Sequence, residues 1–285
     1  MFKCPKCGAQ YLKWQGRCNE CGNWGLVEDD VEIIKTKDKI KNDGRVSSVF
    51  NLNDVIVTED DRIKTNIGEV DLVFGGGIVR GSLTLLSGQP GIGKSTLVMQ
   101  MATKFIKQNK DDFVLYVSGE ETKEQVKNRL DRIGKNNTGI QFSNDVIVEN
   151  IITTIEKMNP TFVIIDSIQT IFSKDIENIV GSINQIKACT VKLLDVAKRL
   201  NIPIIKIGHI TKEGNISGPK ILEHIVDVVL YFEIQKYKNF RILRSIKNRF
   251  GNTNEVGIFE MKENGLNEVL NPSEVFLEDK IIDKG

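Results

Sequence analysis

Residues Gly88-Gln89-Pro90-Gly91-Ile92-Gly93-Lys94-Ser95-Thr96 carry the spacing G-x-x-x-x-G-K-[ST], directly after the apolar run Ser82 to Ser87. At a strand-to-helix turn this is chemistry for a triphosphate. The glycines let successive backbone N–H groups turn inward, Lys94 reaches the outer phosphates, and the Ser95 hydroxyl is placed to ligate magnesium. ATP and Mg2+ are therefore the expected ligands, whatever the nucleotide is used for.

Three further strand ends supply groups that such a site needs. Thr161-Phe-Val-Ile-Ile-Asp166 is an apolar run ending in a carboxylate, and Asp166 suits the magnesium shell, acting through Ser95 or bound water. Glu120 and Glu121 follow Val114 to Gly119. One of them would orient the hydrolytic water: Glu120, nearer the strand end, is the expected base, and Glu121 is expected to face solvent at the start of the next helix. Ile204 to Gly208 ends on His209, a candidate γ-phosphate sensor able to report hydrolysis to the segment that follows, residues 210–219. That segment holds Lys212, Gly214 and Gly218 and is followed by Lys220, which makes it a candidate DNA-contacting loop or a plain glycine-bearing one. Phe172 and Lys174 mark a second candidate loop, with Phe172 either stacking on a base or anchoring the chain. Lys247-Asn248-Arg249-Phe250-Gly251 places two cations at a hairpin turn. Supplied in trans like an arginine finger, Lys247 and Arg249 would reach a neighbour's triphosphate, which requires an oligomer.

A different chemistry sits at the N-terminus. Cys4-Pro-Lys-Cys7 and Cys18-Asn-Glu-Cys21 are two C-x-x-C knuckles, each followed by glycine, Gly8 and Gly22. Each knuckle presents two thiolates to one tetrahedral ion, so Zn2+ held by Cys4, Cys7, Cys18 and Cys21 is expected in a structural, closed site. The fifth cysteine, Cys189, stands alone in a helix-like segment, and the count does not suit a disulfide framework.

Residues 1–28 form the expected zinc module. Residues 29–57 are charged, low in aromatics and aperiodic, and read as a linker. Beyond it, Ser82 to Ser87, Phe113 to Ser118, Phe162 to Asp166, Ile202 to Gly208 and Val226 to Phe232 are expected strands. Ser95 to Lys107, Lys123 to Ile133 and Ile179 to Leu200 are expected helices between them. This alternation predicts an α/β fold with a mainly parallel sheet covered on both faces, over residues 58–270, with ligands at the strands' carboxyl ends. Phe240 to Ile246 and Asn254 to Met261 predict a β-hairpin added to that sheet.

The bulk properties limit the remaining choices. With 285 residues, 40% of them hydrophobic and 27% charged, the chain suits one large domain and a small appendage. A net charge of +1 means that any nucleic-acid surface must be local. No apolar run approaches the length that spans a bilayer and no signal-like segment opens the chain, so a cytoplasmic location without membrane contact is the expectation.

Together these stretches resemble the bacterial RadA (Sms) family of RecA-superfamily ATPases. The resemblance rests on Leu12-Lys-Trp14-Gln-Gly-Arg-Cys18, Gly75-Gly-Gly77, Tyr116-Val-Ser-Gly-Glu-Glu121, Ile165-Asp-Ser-Ile-Gln-Thr170, His209-Ile-Thr-Lys-Glu-Gly214, Leu222-Glu-His224 and above all Lys247-Asn-Arg-Phe-Gly251. It implies a RecA-like P-loop core forming a hexameric ring. Such a ring would hydrolyse ATP while translocating on single-stranded and branched DNA, extending recombination intermediates alongside the RecA recombinase. The resemblance also implies the residue roles given above. The family continues past an Asn-Pro-Ser-Glu segment, here Asn271 to Glu274, into a domain resembling that of Lon protease, an oligomerisation platform. Residues 271–285 are the expected tail toward that domain, which this sequence lacks, and no proteolysis is expected. Two other uses of the same core stay open at this point: a signalling ATPase or kinase, and a nucleotide-gated adaptor acting through the zinc module without motor activity.

Overall fold

The computed structural model describes residues 2–3, 10–11, 16–22, 28–29, 51, 53, 62–108, 112–134, 139–209, 222–235 and 240–269. Two units divide the chain, Met1–Ile56 and Val57–Gly285. In the first, β1 (Phe2–Lys3), β2 (Gln10–Tyr11) and β3 (Glu28–Asp29) pair antiparallel in the order β2-β1-β3. Cys18 is buried and opens a turn closed by a 2.9 Å hydrogen bond from the Gly22 N–H to the Cys18 carbonyl. Gly22 takes φ 69°, the left-handed region, which explains a glycine after the second thiolate of that knuckle. Cys4 and Cys7 lie outside the described residues.

The second unit opens with β4 (Arg62–Ile63), α1 (Gly68–Phe74) and β5 (Ile78–Val79). The Arg62 guanidinium donates to the carbonyls of Phe74, Gly77 and Phe250, tying this entry segment to the far hairpin. Then come β6 (Leu83–Gly88), α2 (Lys94–Gln108), β7 (Val114–Ser118), α3 (Lys123–Ile133), β8 (Ile140–Ser143), α4 (Val148–Met158), β9 (Phe162–Asp166), α5 (Ile183–Leu200) and β10 (Ile204–His209). β11 (Val228–Ile234), β12 (Phe240–Asn248), β13 (Val256–Lys262) and β14 (Gly265–Glu268) complete it. The nine-stranded sheet runs β14-β13-β12-β11-β6-β10-β9-β7-β8. Its six strands from β11 to β8 are parallel, and the other three add antiparallel at one edge. This is the expected mainly parallel sheet with an added hairpin.

The period-2 alternation of side chains divides the core in two. Leu86, Val114, Tyr116, Ile164, Ile205 and Phe232 point to the face covered by α1, α2 and α3. Leu85, Leu115, Val163, Ile165, Ile204 and Val229 point to the face covered by α4 and α5. Burying each such side chain contributes about 1.5–3 kcal/mol, and because both faces are covered the strands read as continuous apolar runs. β8, α4, α1 and β14 are elements that the sequence pattern did not reveal. β8, Ile140–Ser143, is only partly buried at the sheet edge, and so lacks the apolar run that marked the central strands. α5 begins at Ile183 and not near Ile179, because Ser182 caps it by accepting from the Gln185 N–H, and Ile179 is 84% exposed in the preceding loop.

One interior residue breaks the pattern. Lys206, in the middle of β10, is fully buried and donates to Thr190 Oγ1 of α5 at 2.6 Å, while Thr190 Oγ1 donates to the Ile186 carbonyl at 2.6 Å. Burial drives the Lys206 pKa well below 10.5, against a smaller opposing effect of Cys189, whose own thiol burial pushes up to about 11. A lysine whose folded pKa is depressed releases its proton on folding. The unfolded chain then holds more protons, and stability rises with pH until about 10.5 is passed. We expect Lys206→Met to be at least as stable as the parent at pH 7 and to reduce the gain in unfolding free energy between pH 7 and 9, where one group adds up to about 1.4 kcal/mol per pH unit. Urea unfolding of both proteins at the two pH values checks this, and parallel pH profiles would refute it.

Candidate functional site

The strand order places the expected residues in sequence along one carboxyl edge. β6 ends in the glycine-rich loop, its neighbour β10 ends at His209, β9 ends at Asp166, and β7 leads into Glu120. Adjacent strands lie about 4.8 Å apart, so the four positions occupy consecutive steps of one crevice. His209 pairs with Gly88 and Ser118 with Asp166 in register.

Gly88 is fixed by close approach: a Cβ there would sit 2.3 Å from the Phe232 carbonyl oxygen of β11. Past it, Gln89, Pro90 and Gly91 are exposed, Ile92 is buried, and Gly91 and Gly93 take positive φ (75° and 110°). The loop's backbone is thereby turned back onto the start of α2, where Lys94 is buried and Ser95 and Thr96 are half-buried. The Lys94 ammonium donates to the carbonyls of Gly88 at 2.9 Å and Gln89 at 2.8 Å. Burial lowers its pKa to about 8, although Asp166 and Glu120 both act to raise it. The ammonium is therefore under-compensated in the free chain, and a polyphosphate beside it supplies the missing negative charge.

Asp166 is 3% exposed and accepts from the Tyr116 hydroxyl at 2.8 Å. Tyr116 and Asp166 share a sheet face on neighbouring strands, offset by two residues, because Tyr116 pairs with Ile164 and Ser118 with Asp166. An aromatic side chain bridges that diagonal. Ser167 is fully buried and its hydroxyl donates to Glu120 Oε1. Glu121 does not face solvent as the sequence suggested. It forms a bidentate pair with Arg129 of α3, because the Thr122 capping box turns α3 so that Arg129 lies over the strand end. An open cavity of about 570 Å3 lies against Ser118, Gly119, Glu120, Glu121, Phe142 and Asn144, within the size range of small-molecule sites.

This donor set fits a nucleotide and a hard cation. The loop's backbone, Lys94 and Thr96 would hold the phosphates, and Ser95 with Asp166 would hold Mg2+, which when bound neutralises charge on the phosphate oxygens. Arg241 of β12 escaped sequence reasoning. Its Nε donates to the Ile92 carbonyl at 3.1 Å and braces the loop from the adjoining strands. A cation in a distant hairpin strand carries no local sequence signal for such a contact.

Lys247 and Arg249 are not brought to this edge. Val228 pairs with Asn248 and Thr84, and Phe232 pairs with Gly88, so the hairpin turn lies at the amino end of β6. There Lys247 Nζ donates to the carbonyls of Glu223 (2.6 Å) and Val226 (2.8 Å). Arg249 pairs at 3.1 Å with Asp227, a buried carboxylate that also accepts from the Leu83 N–H. Lys174 lies in a loop whose backbone is tied to α4: the Lys174 N–H and the Ser173 hydroxyl donate to Glu149. Burial pushes the Glu149 carboxyl up, but hydrogen bonds from Lys192 and Ser173 outweigh it and hold the pKa at about 2. Phe172 in the same loop is half-buried and bridges Ile147 through its backbone, which suits an anchor. The side chain of His209, residues 210–221 and residues 270–285 lie outside the described residues, and with them the basic loop of Lys212 and Lys220. Among the described residues, no helix is long and apolar enough to cross a membrane.

Comparison with known proteins agrees with this geometry. An AAA domain family model matches residues 47–215, and a rubredoxin metal binding domain model matches residues 2–28. The DNA repair protein RadA of Bacillus subtilis is 46% identical over 283 residues, covering 98% of this chain, and the chain spans 61% of the length of that relative. Among solved structures, a KaiC-like protein from the archaeon Pyrococcus horikoshii superposes with a TM-score of 0.60 at 21% identity, over 73% of this chain and 98% of the other. The RadB recombinase gives 0.55 at 23%, over 73% and 99%. These two likenesses establish the RecA-like P-loop fold. By its sheet order, its phosphate loop and the match over residues 47–215, the chain belongs to the AAA domain family of ATPases, and its homologues at 43–46% identity are the bacterial RadA DNA repair proteins.

Proposed function

We propose that this chain hydrolyses ATP and couples hydrolysis to movement on single-stranded DNA, acting on branched intermediates of recombinational repair together with a RecA-type recombinase. The observation that carries the reading is the placement of the phosphate loop, His209, Asp166 and Glu120 on consecutive strands of one edge. The names of the homologues, which are DNA repair proteins, support its biological setting. In this reading Lys94 stabilises the transferring phosphoryl group, Ser95 and Asp166 hold Mg2+, Glu120 orients the water, and His209 senses the γ-phosphate. Residues 1–28 form a zinc module on Cys4, Cys7, Cys18 and Cys21, residues 29–57 a linker, and residues 58–270 the motor.

Lys247 and Arg249 lie a full strand length from their own phosphate loop, so any phosphate they reach belongs to a neighbour. We assign them to coupling between subunits of a homo-oligomer, a hexameric ring in this reading. Their intrachain partners, two carbonyls and Asp227, would have to be exchanged for that contact.

Turnover of ATP by the 285-residue chain should rise severalfold with single-stranded DNA and vanish in Lys94→Ala. Turnover indifferent to DNA, with label passing from ATP to protein, would point instead to a kinase-like use of the core. Glu120→Gln is expected to cost about 10²–10⁴-fold in turnover with nucleotide binding retained. Glu121→Gln should chiefly lower Tm, by a few degrees, through loss of the Arg129 pair; equal kinetic losses in the two variants would contradict the assignment. Finally, mixing Lys94→Ala with Arg249→Ala subunits should recover turnover that neither shows alone. Failure to recover any, in a sample shown by light scattering to be oligomeric, would exclude completion in trans.

A further inference from the structure

The two carboxylates of the site are each held by a hydroxyl from the other's strand. Tyr116 belongs to β7, the strand leading to Glu120, yet its hydroxyl donates to Asp166 Oδ2 at 2.8 Å. Ser167 follows Asp166 at the end of β9, yet its hydroxyl donates to Glu120 Oε1. Both hydroxyl-bearing residues are completely buried, whereas Glu120 is exposed. A hydroxyl has one proton to give. Each is spent on a carboxylate across the β7–β9 step and not on a neighbouring carbonyl.

From this crossing we propose that Tyr116 and Ser167 are positioning residues with separate tasks: Tyr116 sets the Asp166 carboxylate for the divalent cation, and Ser167 sets the Glu120 carboxylate for the attacking water. The inference rests on the ATP-hydrolysing reading above. Its physical content is orientation. Asp166 stands at the end of a rigid strand, but its carboxylate plane is free to turn about the last side-chain bond. A hydrogen bond from Tyr116 fixes one oxygen and thereby aims the other. Glu120 has one more rotatable bond and sits just past its strand, so it has more freedom to lose and more to gain from a fixed partner. The two bonds also fix the separation of the carboxylates, because each spans the interval between β7 and β9 in the opposite sense. Like charges at that distance would otherwise move apart, and Lys94, which feels both, would lose its counter-charges.

Burial also separates positioning from bulk stability in a useful way. Tyr116→Phe and Ser167→Ala remove one oxygen each and leave the packed ring and the backbone in place, and each oxygen's donated bond goes to a carboxylate. Hydrogen bonds to charged groups are among the stronger ones, so the loss of one translates into roughly tenfold or more in the step that depends on it.

The test uses the full 285-residue chain, a fluorescent ATP analogue, MgCl2 titrations and steady-state turnover. The parent and Lys94→Ala are measured first, and absence of Lys94-dependent turnover in the parent would sink the hydrolysis reading itself. The inference about Tyr116 is then still decided by binding. Tyr116→Phe should raise the Mg2+ concentration for half-maximal nucleotide binding about tenfold, leaving binding without Mg2+ unchanged and, where turnover exists, kcat at saturating Mg2+ within about twofold. Ser167→Ala should do the reverse: kcat falls about tenfold, with nucleotide affinity and Mg2+ half-saturation unchanged. If Ser167→Ala does not fold, Ser167→Cys, a weaker donor of similar size, is read in the same way. Variants that move both quantities together, or that move neither, overturn the proposal, and Tm values within a few degrees of the parent exclude general loosening as the cause of the split.

Discussion

A buried ammonium is the constraint on which this site depends. Lys94 is almost without solvent, its hydrogen bonds in the free chain go to two carbonyls of its own loop, and burial lowers its pKa to about 8 against the pull of two carboxylates. A charge in that position needs counter-charge from fixed directions. The chain supplies it from β9 and from the end of β7, which lie two and three strands from β6, and therefore needs a sheet whose strands β6, β10, β9 and β7 end together. The parallel arrangement follows. Only crossover connections bring successive strands to the same edge in the same direction, and α2, α3, α4 and α5, which make them, bury the two faces.

β6 is the element that this arrangement holds most tightly. At its carboxyl end Gly88 lies so close to the Phe232 carbonyl that no side chain fits, and at its amino end the Leu83 N–H donates to buried Asp227. Asp227 in turn pairs with Arg249 of the hairpin turn. The strand that carries the phosphate loop is thus gripped by β11 and its approach segment at both ends, and the cationic turn is attached to the far end of the same strand. A rigid strand transmits displacement along its length with little loss, since the surrounding core is close-packed and does not absorb strain.

Sequence reasoning located the central architecture because the chemistry and the apolar pattern coincide there. β9, Phe162–Asp166, and α3, Lys123–Ile133, were readable to the residue, the first as an unbroken apolar run ending in a charge, the second from its amphipathic spacing. What escaped lies where that coincidence fails. β8 is a half-buried edge with no apolar run, α1 is seven residues long, and α4 follows Ile147, whose side chain makes no cap. The partner of Glu121 also escaped, because Arg129 is eight residues away and reaches it only after the capping box has set the helix direction. Tyr116 read as one more apolar residue of a buried strand. Its hydroxyl became informative only when the register put Asp166 on the same face two positions further along.

The two buried lysines show why residue type alone does not reveal function. Lys94 and Lys206 are both nearly sealed from water, and burial lowers the pKa of both. Lys94 stands at the sheet's edge, in a loop of turned-in backbone and within the field of two carboxylates, so an anionic ligand would relieve its discomfort. Lys206 stands in mid-strand on the opposite face, where its amino group donates to Thr190 among apolar surroundings. Relief there comes from losing the proton, and the cost falls on stability. The same physical penalty thus becomes a binding determinant at the end of a strand and a pH-dependent liability in its middle, and the difference is fixed by where the parallel sheet ends.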